Sequence, residues 1–192
     1  MARLSSFAPL QEDTPRIAVE FRSVTLLDVP LIFELLHEGA VHGSFSNYYL
    51  RYTGSVQLLG MILHGVVGQY LQKRSSTRRY AWRIVTRADD HRQELGFLKA
   101  WEGVNAEGGL ELELELLAVK PECRNRGIGT AVIAALTKRL QGESRLTVYC
   151  TKYARAMQHV LKRSQFRRNT RTGNLGLEHY TLSTSESLER TS

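Results

Sequence analysis

The sequence predicts a single α/β domain in which a mostly antiparallel sheet carries helices on both faces. The 192 residues suit one large domain, and no linker interrupts residues 17–182. The elements follow the order strand, two helices, three strands, helix, strand, helix, strand. The strand–helix–strand unit over 110–150 requires a parallel pair with a right-handed crossover, whereas the three strands that end in it form an antiparallel meander. Together these observations indicate a mixed sheet covered on both sides.

The first third of the domain supplies one strand and two helices. Residues 17–24 alternate apolar and polar side chains, which is typical of a half-buried strand. Asp28 occupies an N-cap position, and the helical spacing of apolar residues over 31–40 predicts the helix that follows. Residues 41–52 are expected to form a loop or a broken helix. A second helix with one apolar face is predicted over 55–71.

The rest of the domain alternates strands and helices. The remaining elements are predicted as strands at 80–87, 95–101 and 110–119, a helix at 126–141, a strand at 145–150, a helix at 154–163 and a strand at 175–182. Two polar segments flank the domain. Residues 1–16 are expected to be a flexible leader, and residues 183–192, which have almost nothing to bury, a disordered tail.

The composition excludes several classes of protein. With 42% hydrophobic and 23% charged residues, the chain is neither collagen-like nor disordered. No apolar run reaches the roughly 18–20 residues of a membrane helix, so no membrane partner is expected. Two cysteines exclude a disulfide scaffold, and the six histidines lack metal-ligand spacing, so no metal is expected. The N-terminal segment has no apolar core of signal-peptide length, which predicts a cytoplasmic protein.

The net charge of +7 has two interpretations. It can serve solubility, or it can attract an anionic ligand, either a nucleic acid or a phosphate-bearing cofactor. Only a motif can separate these. No nucleic-acid motif accompanies the basic clusters, so a nucleic-acid partner is not expected.

The segment 114–136, LELLAVKPECRNRGIGTAVIAAL, contains the motif that carries chemistry. A strand ends, a short turn follows, and residues 124–130 open an apolar helix. Backbone N–H groups at a helix start are unpaired, and the helix dipole adds positive potential there. The two glycines of this stretch leave room for a bulky anion, and its two arginines add charge. The pattern predicts a pyrophosphate site.

Other phosphate loops do not match this segment. A Walker loop needs Gly-Lys-Ser/Thr, which is absent, and a dinucleotide fingerprint needs a third glycine where Val132 stands. The plain alternative is a glycine-containing helix start with solvated arginines.

The strand–Arg-x-x-Gly-x-Gly–helix unit resembles the acetyl-CoA site of the GNAT superfamily of N-acetyltransferases, and the order of elements matches that fold. The resemblance implies a pyrophosphate held by backbone amides of Arg126, Gly127, Gly129 and Thr130, with Arg124, Asn125 and Ile128 as neighbours. It implies that the pantetheine pairs with Leu117, Ala118 and Val119. It also implies a bulge near 116–118 that splays this strand from its parallel partner.

Three carboxylates alternate along the same strand, at Glu111, Glu113 and Glu115. They form either a solvent face or a base beside the thioester, because a protonated amine must lose a proton before it attacks. Glu113, eleven residues before Arg124, is the best match to the family's base, with the other two in reserve.

The family's general acid, a tyrosine, has no counterpart here, because its position holds Leu161. Tyr153, Cys150 and His159 are the titratable groups nearby, and each is more often structural than catalytic. On the acceptor side, Tyr48, Tyr49 and Tyr52 form either a pocket for a cation or a packed aromatic loop.

The resemblance therefore implies an acyltransferase that moves the acetyl group of acetyl-CoA to a primary amine in a ternary complex. The acceptor, a small molecule or a peptide, is not readable from the sequence. Dimers are common in the family, so a homodimer is an alternative to a monomer. The rival function is a catalytically degenerate module of the same fold that binds CoA or nucleic acid.

Overall fold

A seven-stranded mixed sheet runs through the part of the chain that the computed structural model describes, which is residues 17–45, 52–71, 78–105, 108–140, 144–169 and 177–183. The elements are β1 (Val19–Ser23), α1 (Val29–Val41), α2 (Tyr52–Leu71), β2 (Arg78–Arg87), β3 (Glu94–Val104), β4 (Leu110–Val119), α3 (Ile128–Thr137), β5 (Arg145–Thr151), α4 (Arg155–Arg163), β6 (Arg167–Asn169) and β7 (Leu177–Ser183). The strand order is β1-β2-β3-β4-β5-β7-β6. Only β4 and β5 pair in parallel among the described strands.

The predicted fold class is confirmed, with differences at the level of single elements. α3 ends at Thr137, four residues before the predicted end at 141, because residues 138–139 form a turn. β6 was not predicted, since Arg-Arg-Asn carries no apolar alternation and is a strand only through its pairing with β7. The predicted leader over 1–16 and nearly all of the predicted tail over 183–192 lie outside the described residues.

The two faces of the sheet pack against different helices. On the α3 face, strands pack with α3 and α4 through a core that includes Val85, Leu98, Leu112, Leu114, Val132, Ile133, Leu136, Leu146, Val148 and Leu161. On the α1 face, α1 and α2 cover the sheet through Ile32, Leu35, Leu36, Leu58, Ile62, Trp82, Ile84 and Phe97. Because neighbouring residues of a strand point to opposite faces, the carboxylates of β4 lie on the α1 face. None of the described helices combines the length and the apolar character that crossing a membrane requires.

β4 contains a bulge, and β5 leaves it at the same place. Opposite β3, Lys99 pairs with Leu116 while Ala100 pairs with Leu114, so Glu115 is the extra residue. The bulge therefore lies one residue before the predicted span 116–118. The parallel pairing with β5 ends at Leu114 and Val148. Beyond that pair the two strands form a fork, with residues 115–119 on one prong and 149–151 on the other.

An ionic network fixes the beginning of α1 to the sheet. The carboxylate of Asp28 is only 4% exposed and accepts two hydrogen bonds from the Arg22 guanidinium, at 2.8 and 2.6 Å. It also accepts from the backbone N–H and the hydroxyl of Thr25, at 2.7 and 2.9 Å. Arg22 reaches Glu94 in β3 as well, and Lys120 contacts Glu94 at 3.4 Å. The network thus joins β1, α1 and β3 to the residue that follows β4.

Asp28→Asn is expected to destabilise the protein by about 2 kcal/mol at pH 7, because it removes charge-assisted hydrogen bonds from a buried group. Burial alone would raise the pKa of Asp28, but the bonds from Arg22 and Thr25 outweigh it and hold the pKa below its ordinary value. The carboxylate therefore stabilises the fold above the unfolded pKa of about 4, and this contribution is lost as the pH falls through the folded pKa.

Urea unfolding at pH 7 and pH 3 measures the effect. The gap between Asp28→Asn and the unmodified protein should shrink at the lower pH. Asp89→Asn is the matched control, since Asp89 forms an exposed pair with Arg87 and should change stability by less than about 0.5 kcal/mol. A gap that is equal at both pH values would contradict the role given to the charge of Asp28.

Candidate active site

The fork between β4 and β5 leaves backbone groups of β4 without a neighbouring strand. In an antiparallel ladder, successive residues turn their N–H and C=O groups to opposite sides. Lys120 donates to the Leu95 carbonyl in β3 at 2.8 Å, so Ala118 also faces β3. The N–H groups of Leu117 and Val119 then face the fork. Of the three residues expected to contact the pantetheine, two present backbone groups to the gap and one does not.

The loop after β4 forms a cradle at the start of α3, defined here as residues 124–130. Asn125 and Gly127 have positive φ angles of 59° and 82°, and Gly127 is the N-cap of α3. The helical ladder begins where the Ala131 N–H donates to the Gly127 carbonyl at 2.9 Å. The N–H groups of the first turn, residues 128–130, precede this bond and are therefore available to a ligand.

The space over the cradle is open. A Cβ built on Gly127 would meet no atom within 4 Å, and one built on Gly129 would meet only Cγ2 of Val160, at 3.9 Å. Arg126 is exposed beside these glycines. Free amides, a positive helix end and empty space fit the pyrophosphate that the motif predicts.

Arg124 holds α1 rather than standing free in the cradle. Its guanidinium donates to both carboxylate oxygens of Glu38 at 2.6 and 2.7 Å, and its Nε donates to the Val119 carbonyl at 3.0 Å. These bonds keep the pKa of Glu38 below its ordinary value. No local pattern predicts this pair, because its members are 86 positions apart.

The turn that follows α1 is also attached to β5, by hydrogen bonds. The Thr151 hydroxyl is shared between the carbonyls of Gly43, at 3.1 Å, and Ser44, at 3.3 Å. With the Glu38–Arg124 pair, α1 and the turn after it are linked to both prongs, to Val119 through Arg124 and to Thr151 directly. The predicted acceptor pocket of Tyr48, Tyr49 and Tyr52 lies outside the part of the chain whose side chains are described.

The three carboxylates of β4 differ in their surroundings. Glu115, the bulged residue, forms an ion pair with Lys99, whose ammonium lies 5.2 Å from the centre of the Tyr80 ring. Glu113 lies beside Thr147 of β5, one residue pair before the fork. Glu111 lies two residues further from the fork along β4. Glu113 is therefore the carboxylate of β4 nearest to the fork before the bulge, and Glu115 is the one at the bulge itself.

Tyr149 and His179 share the face of Glu113, and neither was predicted as a site residue. Their rings stack with centroids 4.9 Å apart and planes at 10°. Burial and the charges of Glu113, Glu111 and Glu115 raise the pKa of the Tyr149 phenol. Burial, together with the charge of Arg145, lowers the pKa of His179. The alternation of β5 was the available signal, since Val148 is apolar and Tyr149 must point to the other face.

The groups considered as a general acid lie elsewhere. Leu161 is 0% exposed within the core of the α3 face, as expected of a residue without chemistry. Cys150 belongs to the same core, and burial raises its pKa to about 11. Tyr153 is 62% exposed beyond the end of β5, and His159 is exposed on α4. Leu161 and Cys150 therefore lie on the face of the sheet opposite Glu113.

The family model of the acetyltransferase (GNAT) family matches residues 68–166. The chain belongs to this family. The matched region runs from the end of α2 to Phe166, so it contains the bulge, the fork and the cradle of this GNAT chain. No curated protein matches the sequence.

Solved structures of other acetyltransferases have the same fold. The PaiA N-acetyltransferase from Thermoplasma acidophilum, in complex with coenzyme A, superposes with a TM-score of 0.58 at 15% identity, covering 87% of this chain and 99% of that one. The spermidine N-acetyltransferase from Vibrio cholerae, in complex with CoA and spermine, gives 0.57 at 12% identity, covering 88% and 98%. A GNAT acetyltransferase from Streptococcus agalactiae gives 0.62 at 14% identity, covering 86% and 95%. Likeness at these identities establishes the fold.

Proposed function

We propose that this GNAT chain transfers the acetyl group of acetyl-CoA to a primary amine by direct attack in a ternary complex. The observation that carries the proposal is the fork, which opens at Glu115 directly before an open cradle at the start of α3. A phosphate-bearing donor laid on the cradle would extend its thioester along the prong 115–119. The complexes of similar structures with coenzyme A support this choice of donor.

The donor site is built from backbone groups. The first turn of α3 and the exposed Arg126 would hold the pyrophosphate, and the cradle as a whole comprises the predicted residues 124–130. The N–H groups of Leu117 and Val119 would pair with the pantetheine. One N–H of this prong would donate to the thioester oxygen, which gains negative charge when the carbonyl is attacked.

The carboxylates on the α1 face are the reason for proposing an amine acceptor site there. An alkylamine with a pKa near 10.4 is protonated at pH 7 and carries no lone pair for attack. Glu113 is the proposed base, either directly or through a water. The negative charges of Glu111 and Glu113 favour a cationic acceptor, either a small molecule or a peptide amine. The spermine complex of the similar Vibrio cholerae structure is consistent with this class of acceptor.

Two measurements test the proposal. Calorimetry should detect acetyl-CoA binding, and release of free thiol from acetyl-CoA should accelerate with at least one amine from a panel of polyamines, amino acids, aminoglycosides and peptide N-termini. Hydroxyl compounds of the same shapes are the control and should release no thiol. The absence of binding at millimolar acetyl-CoA would remove the donor site and the proposal with it.

One observation favours a second candidate, a CoA-binding module without turnover. The position of the family's tyrosine holds Leu161, which is fully buried. This candidate is distinguished by the same experiment, since it requires binding of acetyl-CoA with no thiol release from any amine.

A further inference from the structure

We infer that Tyr149 donates the proton that the departing CoA sulfur needs, in place of the tyrosine that position 161 lacks. The inference rests on the proposed function and adds a catalytic residue to it. Its basis is geometric, because Tyr149 is the β5 side chain at the opening of the fork on the same face as Glu113, the proposed base.

Tyr149 is the first β5 residue beyond the fork. Glu113 pairs with Thr147, and the last pair joins Leu114 to Val148. Val148 and Cys150 belong to the core of the α3 face, so Tyr149 between them points to the α1 face. The phenol, on the β5 prong, and the Glu113 carboxylate, on β4 one residue pair before the fork, therefore lie on the same face beside the opening.

The ring of Tyr149 is held in place. It pairs across the strands with His179 in β7 and stacks on that imidazole at 4.9 Å. The buried Nε2 of His179 has no hydrogen-bond partner among the described residues, so stacking fixes this ring pair. A donor fixed before the reaction loses no side-chain freedom when the sulfur leaves.

The surroundings keep the phenol protonated. Burial, and after it the carboxylates of Glu113, Glu111 and Glu115, raises the pKa of the Tyr149 phenol and so disfavours a phenolate. At neutral pH Tyr149 therefore has a proton to give, whereas Glu113 as a carboxylate has none. An acid–base pair requires one group that donates a proton and one that accepts a proton, both beside the same opening.

The proton balance closes without another reactant. The amine nitrogen forms a bond to the acetyl carbon, the carbon–sulfur bond breaks, and the electron pair of that bond goes to sulfur. Glu113 first takes the proton of the ammonium group and passes it to the solvent. It then takes the second proton, which the nitrogen loses as the amide forms, while Tyr149 gives its phenolic proton to the sulfur. The phenolate then takes the proton from the Glu113 carboxylic acid through water. CoA leaves as a thiol, the amide is neutral, and both side chains return to their starting states.

The test compares Tyr149→Phe with Tyr153→Phe, two changes that each remove one hydroxyl near the end of β5. CoA and acetyl-CoA are titrated into each variant at pH 7 and pH 9, which needs no knowledge of the acceptor. Because CoA carries the thiolate at high pH, its hydrogen bond from Tyr149 is charge-assisted, and Tyr149→Phe should weaken CoA binding about 10-fold at pH 9. Acetyl-CoA affinity should stay within about twofold of the unmodified protein. Tyr153→Phe should change neither affinity.

Turnover gives a second readout on an amine acetylated by the unmodified protein. Tyr149→Phe should lower kcat by about 10²-fold at constant KM and remove the fall of kcat at alkaline pH. Should that variant fail to fold, 3-fluorotyrosine at position 149 replaces it, and its lower phenol pKa should move the alkaline limb to lower pH.

The outcomes separate this inference from the proposed function. If the unmodified protein binds neither ligand, the proposed function fails and the inference with it. If it binds both and Tyr149→Phe matches it at pH 9 and in kcat, or if 3-fluorotyrosine leaves the alkaline limb in place, only the inference is wrong. An equal loss in Tyr153→Phe also overturns it.

Discussion

Gly129→Glu is expected to abolish acetyl-CoA binding, raising Kd by more than about 100-fold while the protein stays folded. The added side chain has room, since a Cβ at this position meets only Cγ2 of Val160 at 3.9 Å. Its carboxylate would lie at the free N–H groups of the first turn of α3, where it stabilises the helix and repels a pyrophosphate. Isothermal titration with acetyl-CoA measures the loss.

Thermal unfolding separates this loss from damage to the fold. The unmodified protein should gain melting temperature with acetyl-CoA by mass action, whereas Gly129→Glu should melt at the same temperature with and without it. Gly60→Glu is the matched control, because Gly60 lies in α2 with no atom within 4 Å of an added Cβ and far from the cradle in sequence. Undiminished binding by Gly129→Glu would place the donor elsewhere on the protein.

Glu113→Gln is expected to lower kcat by roughly 10²–10⁴-fold and to leave acetyl-CoA affinity nearly unchanged. The amide keeps the shape of the side chain but cannot take a proton from the attacking amine. The loss should shrink as the pH rises, because more of the amine is then already neutral. Thiol release followed from pH 6 to pH 10 gives the profile.

Glu111→Gln provides the comparison on the same strand face, two residues further from the fork, and should cost less than about tenfold in kcat. A carboxylate that only attracts the cationic acceptor would instead raise KM at constant kcat. An unchanged kcat in Glu113→Gln would remove Glu113 as the base and leave an enzyme that selects the neutral fraction of its amine.

Local signals predicted the parts of this structure that depend on neighbours in sequence. The cradle follows from the spacing of Gly127 and Gly129 after a strand, and the parallel pair follows from the strand–helix–strand order. The bulge lay one residue from its expected place, because its position depends on β3, where Lys99 pairs with the bulged Glu115. No local pattern reports such a contact across the sheet.

The same limit applies to the site. The role of Arg124 was expected to be electrostatic, yet its partner is Glu38 on a helix far away in sequence. Tyr149 was not predicted, because the family resemblance assigns the tyrosine to position 161. Strand alternation was sufficient to place Tyr149 on the face of Glu113, but its stacking on His179 required the pairing of β5 with β7.

The contacts that link α1 and the turn after it to both prongs determine how much conformational freedom the prongs still have to lose when a ligand binds. Glu38 fixes the helix to the prong of β4 through Arg124, and Gly43 and Ser44 fix it to the prong of β5 through Thr151. The helix and the turn after it thus link the two prongs in the folded protein. The two prongs therefore lose conformational entropy when the protein folds. A ligand that fits between them binds without a second loss of that entropy. A ligand that needs a wider gap would first have to break the Glu38–Arg124 pair or the hydrogen bonds of Thr151.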